Sequence, residues 1–328
     1  MWFLLIFSFF GALIFGLFCI ARLSRGITRS NSCLIGKTAI ITGANSGLGY
    51  QTTLNLAARG CRIIMADVAD MEKSKQNVIK FTNNTNILTK KLDLSSLQSV
   101  REFAADIIKT EERLDILINN AGIVGSLENR TKDDLHPAMQ INYFGHFLLT
   151  HLLIDLLKKS APSRIIFTSS LLAFVNNLSL DNFNFDCSTS QMNKISREWL
   201  IYGNNKLAVI IASDIFAQKL KGTEVTSNCI HPGLVKTPIF TRTHTVMENC
   251  LHEMFFTCCN FFFAKDAWEG SQTLVHVAVS KKLQRETGKY FVDCKPFVKP
   301  RLAYDQQFCQ EIWKASEKYV RLEEHEKL

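Results

Sequence analysis

Tyr202 and Lys206 stand four positions apart at the head of a helical stretch. That spacing puts both side chains on one face of a helix. A tyrosine hydroxyl titrates near pH 10 and is a poor base at neutrality; bringing it to about 7 takes roughly 4 kcal/mol. One ammonium about 4 Å away, at an effective dielectric near 20, supplies roughly that amount. The pair can then do acid–base work on an alcohol. The same Y-x-x-x-K spacing also occurs on plain surface helices, so its meaning depends on what else the chain brings to it.

Two further candidates lie upstream. Ser169 and Ser170 end a β-branched run, and adjacent residues on an extended chain face opposite ways, so one of them faces any site at the strand's end. Asn142 sits inside a long helical pattern, where asparagine is costly by propensity. Its presence hints at a local kink or a relay, although by itself it reads as structural.

A second constellation suits a dinucleotide. The run Thr42-Gly43-Ala44-Asn45-Ser46-Gly47-Leu48-Gly49 has the form G-x-x-x-G-x-G between an expected strand and an expected helix. Glycines allow a tight turn and close approach to a pyrophosphate, and the helix N-terminus offers N–H groups to the anion. Asp67 ends the second expected strand, where a carboxylate accepts both ribose hydroxyls and repels a 2′-phosphate. With Val68 and Ala69 beside it and Ser46 before the second glycine, the pattern points to NAD over NADP. The alternative for Asp67 is a turn or helix-capping role. Asp93 follows a third β-run, placed to contact adenine, and small residues at Asn119-Asn120-Ala121-Gly122 let a cofactor lie against the backbone. An oxidised nicotinamide would add a second positive charge beside Tyr202.

These residues need a scaffold, and the patterning supplies one. Short β-branched runs at 38–42, 62–66, 87–92, 116–118, 164–168 and 225–230 alternate with helical stretches at 48–58, 97–109, 139–158 and 204–221. Such a rhythm predicts an α/β fold with a doubly wound parallel sheet and helices on both faces. Ligands of such sheets sit at the carboxyl ends of the strands, which is where the motifs fall. The stretch 171–200, rich in Asn, Ser and Phe, reads as a long loop.

The composition agrees. The chain has 328 residues with 47% hydrophobic and 21% charged, enough for a self-sufficient core and too apolar for a disordered chain. Residues 2–20 carry no charge, close to the ~20 residues that cross a bilayer. No basic residue precedes them and no A-x-A site follows, so the run reads as an anchor at 1–21 rather than a cleaved signal. Arg22, Arg25 and Arg29 follow it in a basic linker, 22–35, which orients the remaining domain, 36–328, to the cytosol. Residues 254–263 are Phe-rich and read as a substrate lid, a membrane-contacting helix or plain core. The 10 cysteines show no C-x-x-C spacing and no His cluster accompanies them, so no metal site is expected. The formal charge of +8 is scattered, and basic and aromatic residues do not interleave as a nucleic-acid platform requires. No G-x-S-x-G elbow or P-loop is present.

Taken in order, TGANSGLG (42–49), NNAG (119–122), INYFGHFLLT (141–150), TSS (168–170), YGNNK (202–206) and HPGLVKT (231–237) resemble the classical short-chain dehydrogenases/reductases, specifically the retinol-dehydrogenase-like, membrane-anchored branch. GKYF (288–291) and IWKASEKYV (312–320) are also similar to that branch, so the resemblance spans about residues 36–320. It implies a single Rossmann-type domain preceded by a transmembrane helix. It implies Tyr202 as general acid/base and Lys206 as the group that lowers its pKa and holds the nicotinamide ribose. Ser170 would hydrogen-bond the substrate oxygen, and Asn142 would support a water-linked proton relay. Gly43, Asn45, Ser46, Gly47, Leu48, Gly49, Asp67, Asp93, Leu94, Asn120, Ala121 and Gly122 would line the adenosine and pyrophosphate half of the cofactor. Pro232, Gly233, Val235 and Thr237 would contact the nicotinamide half. Many members of the branch carry a basic residue after the second strand and use NADP, whereas this chain reads Met65-Ala66-Asp67-Val68. The long stretch between Ser170 and Tyr202 departs from the pattern and weakens any transfer of substrate identity.

The expectation is a membrane-anchored NAD-dependent oxidoreductase for a lipophilic alcohol such as a retinoid, sterol or isoprenoid, at the endoplasmic reticulum or a lipid droplet. An NADP-dependent carbonyl reductase is the first alternative, and a non-enzymatic membrane-bound interaction protein the second. A homodimer fits the family without independent support in the residues.

Overall fold

A computed structural model of the chain describes residues 25–125, 130–185, 194–236 and 264–328. The β-branched runs form β1 (Thr38–Thr42), β2 (Arg62–Asp67), β3 (Ile87–Lys91), β4 (Ile116–Asn119), β5 (Ser163–Thr168) and β6 (Val225–His231), followed by two short strands, β7 (Tyr290–Val292) and β8 (Lys295–Phe297). They join one 8-stranded sheet in the order β3-β2-β1-β4-β5-β6-β7-β8. Neighbours are parallel except in the β7–β8 hairpin.

The helices are α1 (Gly47–Ala58), α2 (Glu72–Thr82), α3 (Leu97–Thr110), α4 (137–159), α5 (Lys194–Lys219), α6 (Ala267–Val279) and α7 (Gln306–Tyr319). Strands buried on both faces need apolar residues at successive positions, and β1 is buried throughout. Its alternation still sorts the core into two layers. Ile40 packs with Ile64, Leu117, Ile165 and the α3–α5 side. Ala39 and Ile41 pack with Ile63, Met65 and Ile118 on the side of α1 and α6. The strand order reverses between β1 and β4, which opens a crevice at their carboxyl ends.

Two elements differ from the sequence reading. The stretch 171–200 is not one loop: it opens with a 3-10 turn, Leu171–Phe174, and α5 already begins at Lys194. Arg197, Glu198, Trp199 and Leu200 are adequate helix formers and extend the core helix outward, which the Asn/Ser-rich composition upstream obscured. The helix expected over 139–158 is interrupted by a π-helical turn, Gln140–Phe144, and breaks again at Leu153.

Residues 25–34 lie along α6. Arg25 pairs with Glu269, the Thr28 N–H donates to Gln272 Oε1 at 3.4 Å, and Ser32 Oγ donates to the Val279 carbonyl at 2.8 Å. Among the described residues no helix is long and apolar enough to cross a membrane. The apolar run 2–20, the Phe-rich 254–263 and Thr237 lie outside the described residues.

Candidate active site

The glycine turn joins β1 to α1. Gly43 and Gly47 take left-handed backbone, φ +65° and +54°, where a side chain is strained. At Gly49 a Cβ would stand 2.1 Å from the Gly43 carbonyl oxygen, so the turn closes only with glycine at both ends. Ser46 is the N-cap of α1 and its hydroxyl makes no capping bond. The first-turn N–H groups of α1 have no intrahelical partner and face the crevice, as a phosphate site requires.

Thr42 fixes this turn to the next strand. Its hydroxyl accepts from the Asn120 N–H at 2.8 Å and the Ala121 N–H at 3.0 Å, and lies 2.9 Å from His146 Nε2. His146 Nδ1 is 3.3 Å from the Asn142 carbonyl. Burial pushes the His146 imidazole down to about 3, so it is neutral. The network assigns its one proton to Nδ1 and makes Nε2 the acceptor for Thr42. Neither Thr42 nor His146 figured among the expected site residues, although both lie inside quoted motifs.

A cavity of about 460 Å³ opens beside the turn, lined by Gly43, Ser46, Gly47, Leu48, Asp67, Asp93, Leu94, Asn120, Ala121 and Gly122 among others. One Asp67 oxygen accepts from the Asn45 N–H and the other from the Ala69 N–H, both at 3.2 Å. The carboxylate is thus held at the β2 corner of the cavity. Asn45 turns its side chain away, to the Asp70 carbonyl at 3.0 Å and the Ser74 hydroxyl at 2.6 Å. Only its backbone serves the turn. Asp93 accepts from the Ser95 N–H at 2.9 Å and the Ser95 hydroxyl at 2.6 Å. The cradle and the acidic corner fit the adenosine and pyrophosphate of a dinucleotide.

At Gly122 a Cβ would stand 3.1 Å from Asn142 Oδ1 and 3.7 Å from Lys206 Nζ, so this glycine joins the cavity to the second constellation. Asn142 lies in the π turn. Its Oδ1 accepts from the Ile123 N–H at 2.8 Å, and its Nδ2 donates to the Ile123 carbonyl at 2.9 Å and to Asn205 Oδ1 at 3.3 Å. The π turn puts Asn142 between the β4 loop and α5, a function-linked use of an extra residue in a helix.

On α5, Lys206 Nζ donates to the Thr168 carbonyl at 2.9 Å and lies 5.4 Å from the centroid of the Tyr202 ring. Ser170 lies close enough to the Tyr202 hydroxyl to pull its pKa down, and its own Oγ accepts from the Leu172 N–H at 3.2 Å. Of the two serines, Ser169 is turned inward to the Lys206 carbonyl at 2.7 Å. The close approach of the Ser170 turn to α5 is permitted by Gly203, where a Cβ would stand 2.0 Å from the Val175 carbonyl oxygen.

Burial pushes the Tyr202 phenol above its ordinary value, and the hydrogen bond from Ser170 only partly opposes this. Lys206 is pushed down to about 8 by burial. This corrects the simple arithmetic of one ammonium beside one hydroxyl. Lys206 spends a hydrogen bond on Thr168 and sits over the ring face, so the chain alone does not bring Tyr202 to neutrality.

Past β6, His231 accepts from the Leu171 N–H at 3.2 Å through Nδ1. Burial, then Lys265, push it down to about 3 against the pull of Asp293, so it stays neutral and holds the segment after Ser170. It too was missed as a site residue, though it opens the HPG motif. Gly233 has φ +95°. Val235 meets Leu48 at Gly270 of α6, where a Cβ would stand 2.7 Å from both side chains. The loop 232–236 therefore adjoins the glycine turn.

The description "short chain dehydrogenase" belongs to the family model that matches residues 37–183. The chain is 36% identical over 294 residues to retinol dehydrogenase 12 of Bos taurus, covering 89% of this chain and 88% of that protein. It is 37% identical over 300 residues to retinol dehydrogenase 13 of Mus musculus, covering 90% and 87%. Among solved structures, a protein from Mycobacterium paratuberculosis superposes with a TM-score of 0.68 at 24% identity, covering 90% of this chain and 98% of that one. The Pseudomonas aeruginosa RhlG/NADP active-site complex does so with a TM-score of 0.60 at 22% identity, covering 79% and 95%. These two likenesses show the fold alone. Relatives this similar along nearly the whole length, on top of the Tyr202–Lys206 helix and the glycine cradle, establish that the chain belongs to the short-chain dehydrogenases, in the retinol-dehydrogenase-like branch, and is an NAD(P)-dependent alcohol dehydrogenase.

Proposed function

We propose that this enzyme uses NAD to oxidise a lipophilic alcohol, a retinoid, sterol or isoprenoid, from a cytosolic domain held by residues 1–21 at the endoplasmic reticulum or a lipid droplet. The observation that carries the cofactor choice is Asp67. Two backbone N–H groups hold its carboxylate at the ribose corner of the cavity. There it accepts from two ribose hydroxyls and repels a 2′-phosphate.

The nicotinamide, when bound, supplies the hydride acceptor and, in its oxidised form, one positive charge. The chain's own residues handle the proton. Tyr202 Oη, as the phenolate, takes it from the alcohol, and Ser170, which acts on that same oxygen, holds the substrate oxygen in reach. Lys206 keeps a cation over the ring and so favours the phenolate that accepts this proton. Asn142, fixed by Ile123 and Asn205, supports the relay that carries the proton outward.

Lipophilic substrates are supported by the exposed apolar side chains of Leu171, Phe174 and Val175, which directly follow Ser170. The names of the relatives, retinol dehydrogenase 12 and 13, agree with such a substrate. A second reading, NADP-linked carbonyl reduction, is favoured by one feature: Lys91 is the register partner of Asp67 on the neighbouring strand β3, so a cation is carried one strand away from the acidic corner. Fluorescence titration of the protein with NADH and NADPH separates the two. Tighter NADH binding supports alcohol oxidation with NAD; tighter NADPH binding replaces it with the reductase.

A further inference from the structure

The loop expected to meet the nicotinamide is propped from beneath by a lysine that the acid–base chemistry does not use. Lys265 is buried, with its Nζ donating to the Pro232 carbonyl at 3.2 Å and paired with Asp293. Its side chain lies flat under Gly233, where a Cβ would stand 2.9 Å from Lys265 Cε and 3.0 Å from Nζ. The backbone is tied as well. Lys265 N–H donates to the Leu234 carbonyl at 2.8 Å, and Lys236 N–H to the Lys265 carbonyl at 2.9 Å.

Asp293 is itself held with effort. It forms, with Cys294, the two-residue turn between β7 and β8, and both take left-handed backbone, φ 48° and 61°. That is the hairpin geometry normally given to Asn-Gly or Asp-Gly, and a cysteine at its second position is strained. The turn aims the Asp293 carboxylate at Lys265 and at the Gly26 N–H, which donates to Oδ1 at 3.1 Å. A Cβ on Gly26 would stand 2.1 Å from the Asp293 carbonyl oxygen. A continuous chain of contacts therefore runs from the N-terminal strap, through the strained turn and a buried ammonium, to the backbone of Pro232 and Gly233.

We infer that Lys265 is a positioning residue for the nicotinamide half of the cofactor, and that Asp293 and the strap at Gly26 hold it in place. The inference rests on the dehydrogenase reading of loop 232–236. A buried cation that fixes one loop carbonyl sets the height of that loop against the ring, while the adenosine half rests on the glycine turn and Asp67, which Lys265 does not touch. The two halves of the cofactor should therefore respond differently to its loss.

The test compares full-length wild type, Lys265→Met, Asp293→Asn and the double variant by binding titration. The ligands are NADH against ADP-ribose, and NADPH against 2′-phospho-ADP-ribose. Loss of one charge-assisted hydrogen bond predicts that Lys265→Met binds the intact reduced nucleotide at least about tenfold more weakly while keeping its ADP-ribose affinity within about twofold. Asp293→Asn should move the same way by less. Equal weakening of both ligands would assign Lys265 to general stability and overturn the inference, as would no weakening of either. Where Lys265→Met fails to unfold cooperatively, the double variant, which leaves no unpaired charge behind, gives the same reading. A wild type that binds none of the four nucleotides would instead sink the dehydrogenase assignment of the loop, and this inference with it.

Discussion

The Lys206 ammonium lies 5.4 Å from the centroid of the Tyr202 ring, over its face, and donates its hydrogen bond to the Thr168 carbonyl at 2.9 Å. The side chain that pulls the Tyr202 hydroxyl down against its burial is Ser170. On the proposed mechanism acid–base competence is therefore shared: Ser170 acts on the hydroxyl and Lys206 brings a cation across the ring. The remaining positive charge that offsets burial of the phenol arrives with the oxidised cofactor.

Replacing Tyr202 by Phe removes the hydroxyl proposed to exchange a proton with the alcohol and leaves the glycine cradle intact. Turnover should fall by about 10²–10⁴-fold, the usual worth of a positioned acid–base group. NADH binding, followed by fluorescence, should stay within a few-fold of wild type. Substantial retained turnover would refute the assignment of Tyr202.

Lys206 is pushed down to about 8 by burial. Below that pH it carries its charge; above it the ammonium is lost. If Lys206 holds the nicotinamide ribose, NADH affinity should decline as pH rises through about 8. Lys206→Met should bind more weakly and without that pH dependence. A wild-type profile that stays flat through this range would remove Lys206 from the cofactor contacts.

Asp67→Arg replaces an acceptor of ribose hydroxyls with a group suited to a 2′-phosphate. The ratio of kcat/KM for NAD to that for NADP should fall by at least about tenfold, equivalent to about 1.4 kcal/mol. An unchanged ratio would leave Asp67 as a turn residue that caps Asn45 and Ala69.

What the sequence disclosed and what it hid follow from the range of the interactions. Gly43, Gly47 and Gly49 were legible because a tight turn between a strand and a helix needs them locally. Tyr202 and Lys206 were legible because helical spacing alone puts them on one face. Six of the seven parallel strands, β1 to β6, were legible because strands buried inside a sheet are written as apolar or β-branched runs. His146, His231 and Lys265 were not. Each acts on a residue far along the chain or through the backbone of a loop, and nothing in its neighbours' types marks it. Lys265 in particular carries no local mark, since only the β7–β8 turn, for which the sequence reading expected no strands, brings Asp293 to it. The start of α5 was hidden for a local reason: the Asn/Ser-rich composition upstream argued for a loop and masked the helix-forming residues Arg197, Glu198, Trp199 and Leu200.

At the amino ends of the strands, Asp115 accepts from Lys37 at 2.7 Å, from the Thr38 N–H at 2.9 Å and from Arg113 at 2.8 and 2.6 Å. Burial alone pushes its carboxyl up, but Arg113, Lys37 and the Thr38 N–H together hold it below the ordinary value. A depressed carboxyl stabilises the fold above the unfolded pKa and loses that contribution as pH falls through the folded one. Asp115→Asn should cost about 1–2 kcal/mol at pH 7 in urea unfolding, since it weakens hydrogen bonds to a charged group whose cationic partners, Lys37 and Arg113, stay solvated. The two proteins should converge in stability as pH drops below about 4. A gap that stays constant as pH falls well below about 4 would show that shape rather than charge matters at this position.

Deleting residues 1–21 should move the protein from the membrane to the soluble fraction with nucleotide binding unchanged. The cut leaves Arg25 and Gly26, which dock on Glu269 and Asp293. Persistent sedimentation with membranes would transfer the attachment to the Phe-rich 254–263 stretch.

The most direct measurement follows the hydride itself. Full-length protein in lipid vesicles is given a lipophilic primary or secondary alcohol, retinol among those tried, with deuterium on the carbinol carbon and either NAD or NADP. Mass analysis then reads the label in the reduced nucleotide. The account requires deuterium in NADH at a rate well above that in NADPH, and none in either nucleotide with Tyr202→Phe. Label gained faster by NADPH would overturn the cofactor assignment at Asp67. Unlabelled nucleotide across retinoid, sterol and isoprenoid alcohols would contradict the proposed substrate class.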